Sequence, residues 1–158
     1  FDTPPESDAT VLAKRLHCSG GIGTFTGLDV RMGGVAGNLH IEFWTTAGFH
    51  LLDTPQGLRT NDGRWHQVAV VRRDAALSLN VDGAEVARTS VAGRFSDASS
   101  TPLYLGVGRC VPDAPGTNGQ HDGTAWFEGR LDEVAILPRA VSAEALAAWT
   151  TSACPLSP

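Results

Sequence analysis

The densest group of side chains that could do chemistry lies between Cys110 and Trp126. This segment of 17 residues shows no hydrophobic periodicity, and it carries carboxylates, amides, an imidazole and an indole: Asp113, Asn118, His121, Asp122 and Trp126. Amides and carboxylates can satisfy sugar hydroxyls while an indole covers the apolar face of the ring. Long non-periodic loops are usually functional or disordered. The hypothesis is therefore a saccharide-binding rim, with disorder as the alternative.

A second indole that could stack on a sugar is Trp44. In the alternating run LHIEFW it shares the polar face of a predicted strand with His40 and Glu42, which favours exposure. An indole covered by the second sheet or by a loop is the alternative interpretation. The remaining tryptophans, Trp65 and Trp149, are assigned to the core.

Carboxylates at catalytic spacing are absent from the predicted strands. A retaining glycosidase needs two carboxyl groups about 5–5.5 Å apart, which alternating positions along one strand can provide. Glu42 has no such neighbour on its strand, and Asp132 and Glu133 are adjacent, so they point to opposite faces. The sequence also contains no G-x-S-x-G elbow and no phosphate-cradling glycine loop. We therefore predict that the protein is not an enzyme.

The elements that must position these residues are mostly strands. Period-2 alternation recurs in GLDVRM, LHIEFW, LSLNV and PLYLGVG, and turn signals separate these runs. The denser apolar run HQVAVV suits a central strand that is covered on both faces. Asp82 and Gly83 predict a tight hairpin turn. Near the C-terminus, SAEALAAW predicts a short helix with Ser142 as its cap and Glu144 in its first turn. The pattern predicts an all-β sandwich of two antiparallel sheets with one short C-terminal helix.

Length and charge limit the protein further. The 158 residues predict a single domain over 1–158, with a proline-rich tail from about residue 150. A net charge of −5 argues against nucleic acid or an anionic membrane as partner. No run approaches the ~20 apolar residues that span a bilayer. The first ten residues have no signal-peptide pattern, so a secreted protein would be a mature or excised piece.

Two blocks of sequence resemble a known family. NDGRWHQVAVVRRDAALSLNVDGAEVA and FEGRLDEVAILPRAVSAEALAAW cover residues 61–149 apart from the loop between them. In order and separation they resemble the laminin-G-like, concanavalin A-like jelly-roll domains of secreted bacterial proteins. The resemblance implies two antiparallel sheets packed face to face. It also implies a truncated opening strand, since only 13 residues precede Lys14, and hence an unpaired edge unless another segment covers it.

The resemblance further implies a disulfide and a calcium ion. Cys18 and Cys110 match the positions of the disulfide in members that carry one, which leaves Cys154 free or paired outside the chain. Calcium would be held by Asp132 with backbone carbonyls, and Asp122 is the candidate for a further metal contact. Asp132 also shares the parity of the apolar residues in LDEVAIL, which predicts that it points toward the core. Hydrogen bonds from backbone amides are the alternative partners for such a carboxylate.

Taken together, these features predict a non-catalytic, extracellular, lectin-like module within a larger secreted protein. The expected partner is a glycan or polysaccharide. The alternative is a protein-interaction, adhesion or spacer module without a sugar site, and an enzyme is a third hypothesis. Glycan binding and the effect of a chelator on thermal stability would separate the first two.

Overall fold

The computed structural model describes residues 9–15, 27–33, 37–95, 102–108 and 125–152. Strands alternate with short turns along most of this length, and one helix follows them. In chain order the elements are β1 (Ala9–Arg15), β2 (Gly27–Gly33), β3 (Asn38–Thr45), β4 (Gly48–Asp53), β5 (Val68–Arg73), β6 (Ala76–Val81), β7 (Ala84–Ser90), β8 (Tyr104–Leu105), β9 (Val107–Gly108), β10 (Ala125–Trp126) and α1 (Ala143–Ser152). The predicted all-β class with a short C-terminal helix is confirmed.

The strands form two main antiparallel sheets that share one hydrophobic core. One sheet has the order β4-β3-β2-β1-β8, the other has the order β5-β6-β7, and β9 pairs with β10. Apolar side chains of both main sheets meet in the core, among them Val30, Ile41, Leu52, Leu77 and Leu79. The predicted two-sheet sandwich is therefore confirmed.

Strand register decides which side chains face this core. Val30 pairs with Ile41, and Ile41 pairs with Leu52, so this row of three strands points inward. Asp29 pairs with Glu42 in the next row and therefore points to the outer face. The strand β1 pairs with β2 on one side and with β8 on the other. Within the described residues, β8 therefore covers part of the edge expected beside the first strand, because it pairs with β1 at Leu12 and Ala13.

The turn and the helix cap follow local chemistry. Asp82 and Gly83 have φ values of 52° and 78° and form the predicted two-residue turn between β6 and β7. The N–H of Ala145 donates to Ser142 Oγ at 3.3 Å, which is the predicted N-cap bond. Leu146 is buried and fixes α1 on the sandwich. The described residues contain no helix that is long and apolar enough to cross a membrane.

The segment from Leu131 to Leu137 is not a strand, contrary to its alternating pattern. Glu133 has a φ of 51°, a left-handed conformation that interrupts extended backbone. Val134 and Ile136 are 47% and 70% exposed, and Asp132 is exposed as well. The prediction that Asp132 points into the core is therefore wrong, because the turn at Glu133 breaks the alternation on which it depended. Its Oδ1 accepts the N–H of Glu133 at 2.8 Å.

Candidate functional site

One residue of the predicted saccharide rim can be located. Trp126 ends β10, pairs with Val107 of β9 and leaves 64% of its surface exposed. An exposed indole is what stacking on a sugar ring requires. Four other predicted rim residues and both predicted disulfide cysteines lie outside the described residues: Asp113, Asn118, His121, Asp122, Cys18 and Cys110.

The other three tryptophans differ from the sequence predictions in their exposure. Trp44 points to the outer face of β3, as predicted, but it is only 6% exposed and its ring lies 5.1 Å from that of Phe49. The prediction of an exposed sugar platform at Trp44 is wrong, because tertiary packing covers this face. Trp65 and Trp149 were assigned to the core, yet they are 50% and 46% exposed.

Trp65 forms one wall of a groove of about 270 Å³. We call this the Trp65 groove. Its lining combines two aromatic rings with hydrogen-bonding side chains: Asn61, Arg64, Trp65, Phe127, Glu128 and Arg130. Phe127 also packs against the core, so one side of the groove is continuous with the rigid interior. Phe127, which follows Trp126 in the sequence, therefore contributes to this groove, although the sequence pattern did not indicate it.

A histidine bridge holds the loop that carries Trp65. His66 Nδ1 lies 2.8 Å from Asp82 Oδ2, and His66 Nε2 lies 2.9 Å from Asp62 Oδ1. When protonated, the imidazolium donates to both carboxylates and so ties the loop to the β6–β7 turn. The N–H of Gln67 donates to Asp82 Oδ1 at 3.0 Å, which adds a second link to the same turn. The two residues that follow Trp65 in the chain are thus anchored to this turn.

Charge shifts the pKa values in this bridge. Burial lowers the pKa of His66, but the hydrogen bonds to Asp82 and Asp62 together outweigh burial and raise it above its usual value. The Arg64 guanidinium, followed by His66, holds the pKa of Asp62 well below its usual range. His66 and Asp62 are therefore both stabilised in their charged forms.

The base of the groove depends on a close approach to Gly37. The N–H and the Oγ1 of Thr60 both donate to the carbonyl of Gly37, at 3.0 and 2.8 Å. A Cβ at position 37 would lie 2.0 Å from Asn61 Oδ1, and the φ of +61° also disfavours a side chain there. Glycine at 37 therefore allows Asn61 to line the groove.

The polar groups of the groove differ in how they are held. The Nε of Arg64 donates to Asp62 Oδ2 at 2.7 Å, so its charge is largely neutralised. In the described part of the chain, neither Glu128 nor Arg130 forms an ion pair, and both are exposed. These two side chains supply acceptors and donors that remain available to a ligand.

A charged network crosses the outer face of the larger sheet. Arg31 donates through Nη2 to Asp29 at 2.9 Å and to Glu42 at 3.4 Å, and His40 Nδ1 lies 2.6 Å from Asp53. His40 Nε2 lies 3.6 Å from Glu42 Oε1, and this carboxylate is the largest influence on His40 and raises its pKa. Sequence analysis missed the Asp29–Glu42 pair, because these residues meet across strands rather than along one. The signal available in the sequence was the polar residues at alternating positions of two successive predicted strands, GLDVRM and LHIEFW.

This network has the form of a structural ion cluster. Asp29 is 1% exposed, so a substrate has no access to its carboxylate. Arg31 forms an ion pair with each carboxylate, at 2.9 Å for Asp29 and 3.4 Å for Glu42. Within the described ranges, no three His, Cys, Asp or Glu side chains converge as metal ligands. Calcium at Asp132 and Asp122 remains a prediction from the sequence.

The model of the concanavalin A-like lectin/glucanases superfamily matches residues 6–147 of the chain. The chain belongs to this superfamily. No curated protein sequence matches it. A similar solved structure is that of residues 221–444 of an S-layer domain-containing protein from Clostridium thermocellum ATCC 27405. The similarity has a TM-score of 0.46 and 15% identity, and it covers 95% of this chain and 67% of that one.

Membership in the concanavalin A-like superfamily confirms the family and the fold that the two sequence blocks predicted. The name of the superfamily covers both lectins and glucanases, so membership alone does not separate binding from hydrolysis. The choice between binding and hydrolysis therefore depends on the side chains of this domain.

Proposed function

We propose that this concanavalin A-like domain is a non-catalytic glycan-binding module of an extracellular protein, and that the Trp65 groove is its saccharide site. The observation that carries the proposal is the half-exposed indole of Trp65 beside the side chains of Glu128 and Arg130, which form no ion pair within the described residues. An aromatic face for the C–H side of a ring, flanked by donors and acceptors for its hydroxyls, is suited to a sugar.

Preorganisation supports the same proposal. The His66 bridge to Asp62 and Asp82 holds the Trp65 loop before any ligand arrives. A loop that is already ordered loses little conformational entropy on binding, which improves affinity for a given set of contacts. We expect an open groove of this kind to bind with millimolar to micromolar affinity, about −4 to −8 kcal/mol. Attachment to a larger protein would raise the effective affinity.

The carboxylates favour binding over hydrolysis. Glycosidases use two carboxyl groups, about 5–5.5 Å apart in retaining enzymes and about 6.5–9.5 Å apart in inverting ones. Among the described residues that line the Trp65 groove, Glu128 is the only carboxylate. The Asp29–Glu42 pair has Arg31 bound to both members, and Asp29 is buried. Neither location presents an acid and a nucleophile to a substrate.

We propose the predicted rim as a further part of the glycan-binding surface. Trp126 offers a second exposed indole at the end of β10. We propose Asn118, His121, Asp113 and Asp122 as further partners for sugar hydroxyls. The Cys18–Cys110 disulfide and the calcium ion remain predictions from the family resemblance. Removing calcium with a chelator should lower the melting temperature if Asp132 and Asp122 bind it. No change in melting temperature would remove the metal from the proposal.

A protein partner is the second candidate function. The segment from Leu131 to Leu137 exposes several apolar side chains outside any strand: Leu131, Val134, Ile136 and Leu137. Grouped exposed apolar residues are typical of protein-interaction surfaces. This observation favours an adhesion or interaction module if the glycan site fails its test.

The test is a glycan array followed by calorimetric titration of the best ligand. We expect Trp65→Ala to weaken binding at least tenfold without unfolding the domain, because half of this indole lies outside the packed interior. Trp149→Ala is the matched control, since Trp149 is similarly exposed and does not line the groove. Trp126→Ala tests the rim separately.

Three outcomes would change the proposal. Loss of binding in Trp126→Ala alone would move the site from the groove to the rim. An equal loss of glycan affinity in Trp149→Ala would show that these substitutions weaken binding by destabilising the whole domain. A wild-type domain that binds no glycan, with or without calcium, would favour the protein-interaction function.

A further inference from the structure

A second and larger cavity lies on the outer face of the β5–β6–β7 sheet, beside the start of α1. Its volume is about 510 Å³. We call it the outer-sheet cavity. Ser78 and Asn80 of β6 form its polar floor, and Leu146 of α1 contributes an apolar wall. None of these three residues lines the Trp65 groove.

The floor of this cavity is polar and yet buried. Ser78 and Asn80 alternate with the core residues of β6, so they point away from the core, but they are only 8% and 4% exposed. Burying a polar side chain is costly unless it forms hydrogen bonds. Two such side chains beneath a cavity therefore call for partners.

The hydrogen bonds that the floor makes within the protein are long. Asn80 Nδ2 donates to Ser78 Oγ at 3.3 Å and to the carbonyl of Ala69 at 3.5 Å. Ser78 Oγ donates to the carbonyl of Val71 at 3.4 Å. Strong bonds of these kinds are about 2.7–3.2 Å long. Within the described residues, no hydrogen bond reaches Asn80 Oδ1, so the floor retains capacity for a bound molecule.

The charges around the cavity balance. Arg73 and Arg88 contribute two positive charges, and Asp74 and Glu85 contribute two negative charges. Arg88 and Glu85 pair with each other at 2.7 and 2.6 Å. A site with no net charge, and with donors and acceptors intermixed, suits hydroxyl groups, because each hydroxyl both donates and accepts.

We infer that the outer-sheet cavity is a second ligand site, and that it binds one neutral monosaccharide unit. Its volume falls in the range of about 300–1,000 Å³ that is typical of small-ligand sites. Hydroxyls of the sugar would contact Asn80 and Ser78 on the floor and Arg73 at the wall, while its C–H face would lie on Leu146. This site does not depend on the Trp65 groove. A domain with both sites could hold one polysaccharide at two points and gain avidity.

The experiment is an NMR titration of the ¹⁵N-labelled domain with glucose, galactose and mannose, and with glucuronate as the charged comparison. We expect at least one neutral hexose to shift the amides of β6 and of the first turn of α1. The same shifts should appear in Trp65→Ala, which separates this site from the groove. Glucuronate should bind no more tightly than glucose, because the cavity has no net charge.

A filling substitution tests the location. Ala143 lines the cavity at the exposed start of α1, so Ala143→Phe should occupy the space and weaken hexose binding at least tenfold. Ala148→Phe is the matched control, since Ala148 is exposed on the same helix and lies outside the cavity lining. Ser78→Ala should weaken binding severalfold through the loss of one hydroxyl contact.

Four results would overturn the inference. If no hexose shifts these amides, the cavity holds water only. Shifts that vanish in Trp65→Ala belong to the groove, and shifts that persist in Ala143→Phe lie elsewhere. Tighter binding of glucuronate would contradict a neutral ligand. Polysaccharide binding that depends on Trp65 would survive each of these results, so the proposed function can fail or succeed independently.

Discussion

The Trp65 groove and the outer-sheet cavity hold their polar side chains in opposite ways. At the groove, the His66 imidazole lies 2.8 Å from Asp82 Oδ2 and 2.9 Å from Asp62 Oδ1, and all three side chains are partly open to solvent. In the cavity, Ser78 and Asn80 are neutral, buried, and joined at 3.3 Å. Hydrogen bonds between charged groups are shorter and stronger than neutral ones. The groove is therefore ordered by charge, whereas the cavity is ordered by the packing around it.

This difference predicts different sensitivities. A loop held by an imidazolium between two carboxylates should respond to pH, while a floor made of an amide and a hydroxyl should not. Conversely, a cavity bounded by α1 should respond to changes in that helix, and no described residue of α1 lines the groove. The following substitutions test each side of the comparison.

The largest effect is expected at the base of the groove. Gly37→Ala would place a Cβ 2.0 Å from Asn61 Oδ1 and add strain at a φ of +61°. We expect a loss of about 1–3 kcal/mol in unfolding free energy and at least tenfold weaker binding of glycan to the groove, measured by denaturant melts and calorimetry. Gly57→Ala is the control, because its φ of +90° is also strained but nothing lies within 4 Å. Equal losses in both variants would show that the contact with Asn61 is unimportant.

The next effect concerns charge at His66. Its folded pKa is raised above the ordinary value of 6.5, so the protonated form stabilises the folded state. This stabilisation is complete below pH 6.5 and is lost as the pH rises through the folded pKa. Both the melting temperature and the affinity of the groove should therefore fall over that range.

His66→Gln should reduce this pH dependence and weaken groove binding severalfold at pH 6. Some pH dependence of stability should remain, because the pKa of His40 is also raised. Affinity for a hexose in the outer-sheet cavity should stay constant with pH in both proteins. A groove affinity that rises with pH would contradict the role of the bridge.

A smaller effect is expected at the helix cap beside the cavity. Ser142→Ala removes the oxygen that accepts the N–H of Ala145, which should cost about 1 kcal/mol of unfolding free energy. Because Ala143 and Leu146 line the cavity, looser packing of this turn should weaken hexose binding there. Ser142→Asp, which retains a capping oxygen, should restore stability. Groove affinity that falls with Ser142→Ala would show that the two sites are coupled.

The smallest effect is expected at the charged wall of the outer-sheet cavity. Glu85 and Arg88 form a solvent-exposed ion pair, and exposed pairs contribute little to stability. Glu85→Gln should leave the melting temperature unchanged. It should also give the cavity a net positive charge and so raise its affinity for glucuronate relative to glucose. An unchanged preference would show that the charge balance at this wall does not select the ligand.

The elements that depend on neighbours in the chain were predictable from the sequence. Alternation in LHIEFW and LSLNV predicted β3 and β6, and both strands place their apolar residues in the core. Asp82 and Gly83 predicted the hairpin turn, because positive φ is easy for glycine and tolerated by aspartate. Ser142 predicted the start of the helix. In each case the controlling interaction spans only a few residues, so a local pattern is sufficient.

The site residues were predictable only in part, because exposure depends on what covers a face. Alternation placed Trp44 on the outer face correctly, but not its burial beneath the surrounding structure. The block that begins NDGRWH predicted the family, but not that Trp65 would form the wall of a groove. The prediction that Asp132 points toward the core failed because Glu133 adopts a left-handed φ, which an alternating pattern does not predict.

The sequence by itself therefore determined the periodicity, the turns, the helix cap and the family, since these follow from local sterics and from the order of two motif blocks. Tertiary structure alone decided the pairing of Asp29 with Glu42, the bridge from Asp62 through His66 to Asp82, and the burial of Ser78 and Asn80 beside α1. The physical reason is that strand register and sheet packing bring together residues that are distant in the chain. Those contacts set the charge, exposure and space from which a binding site is made.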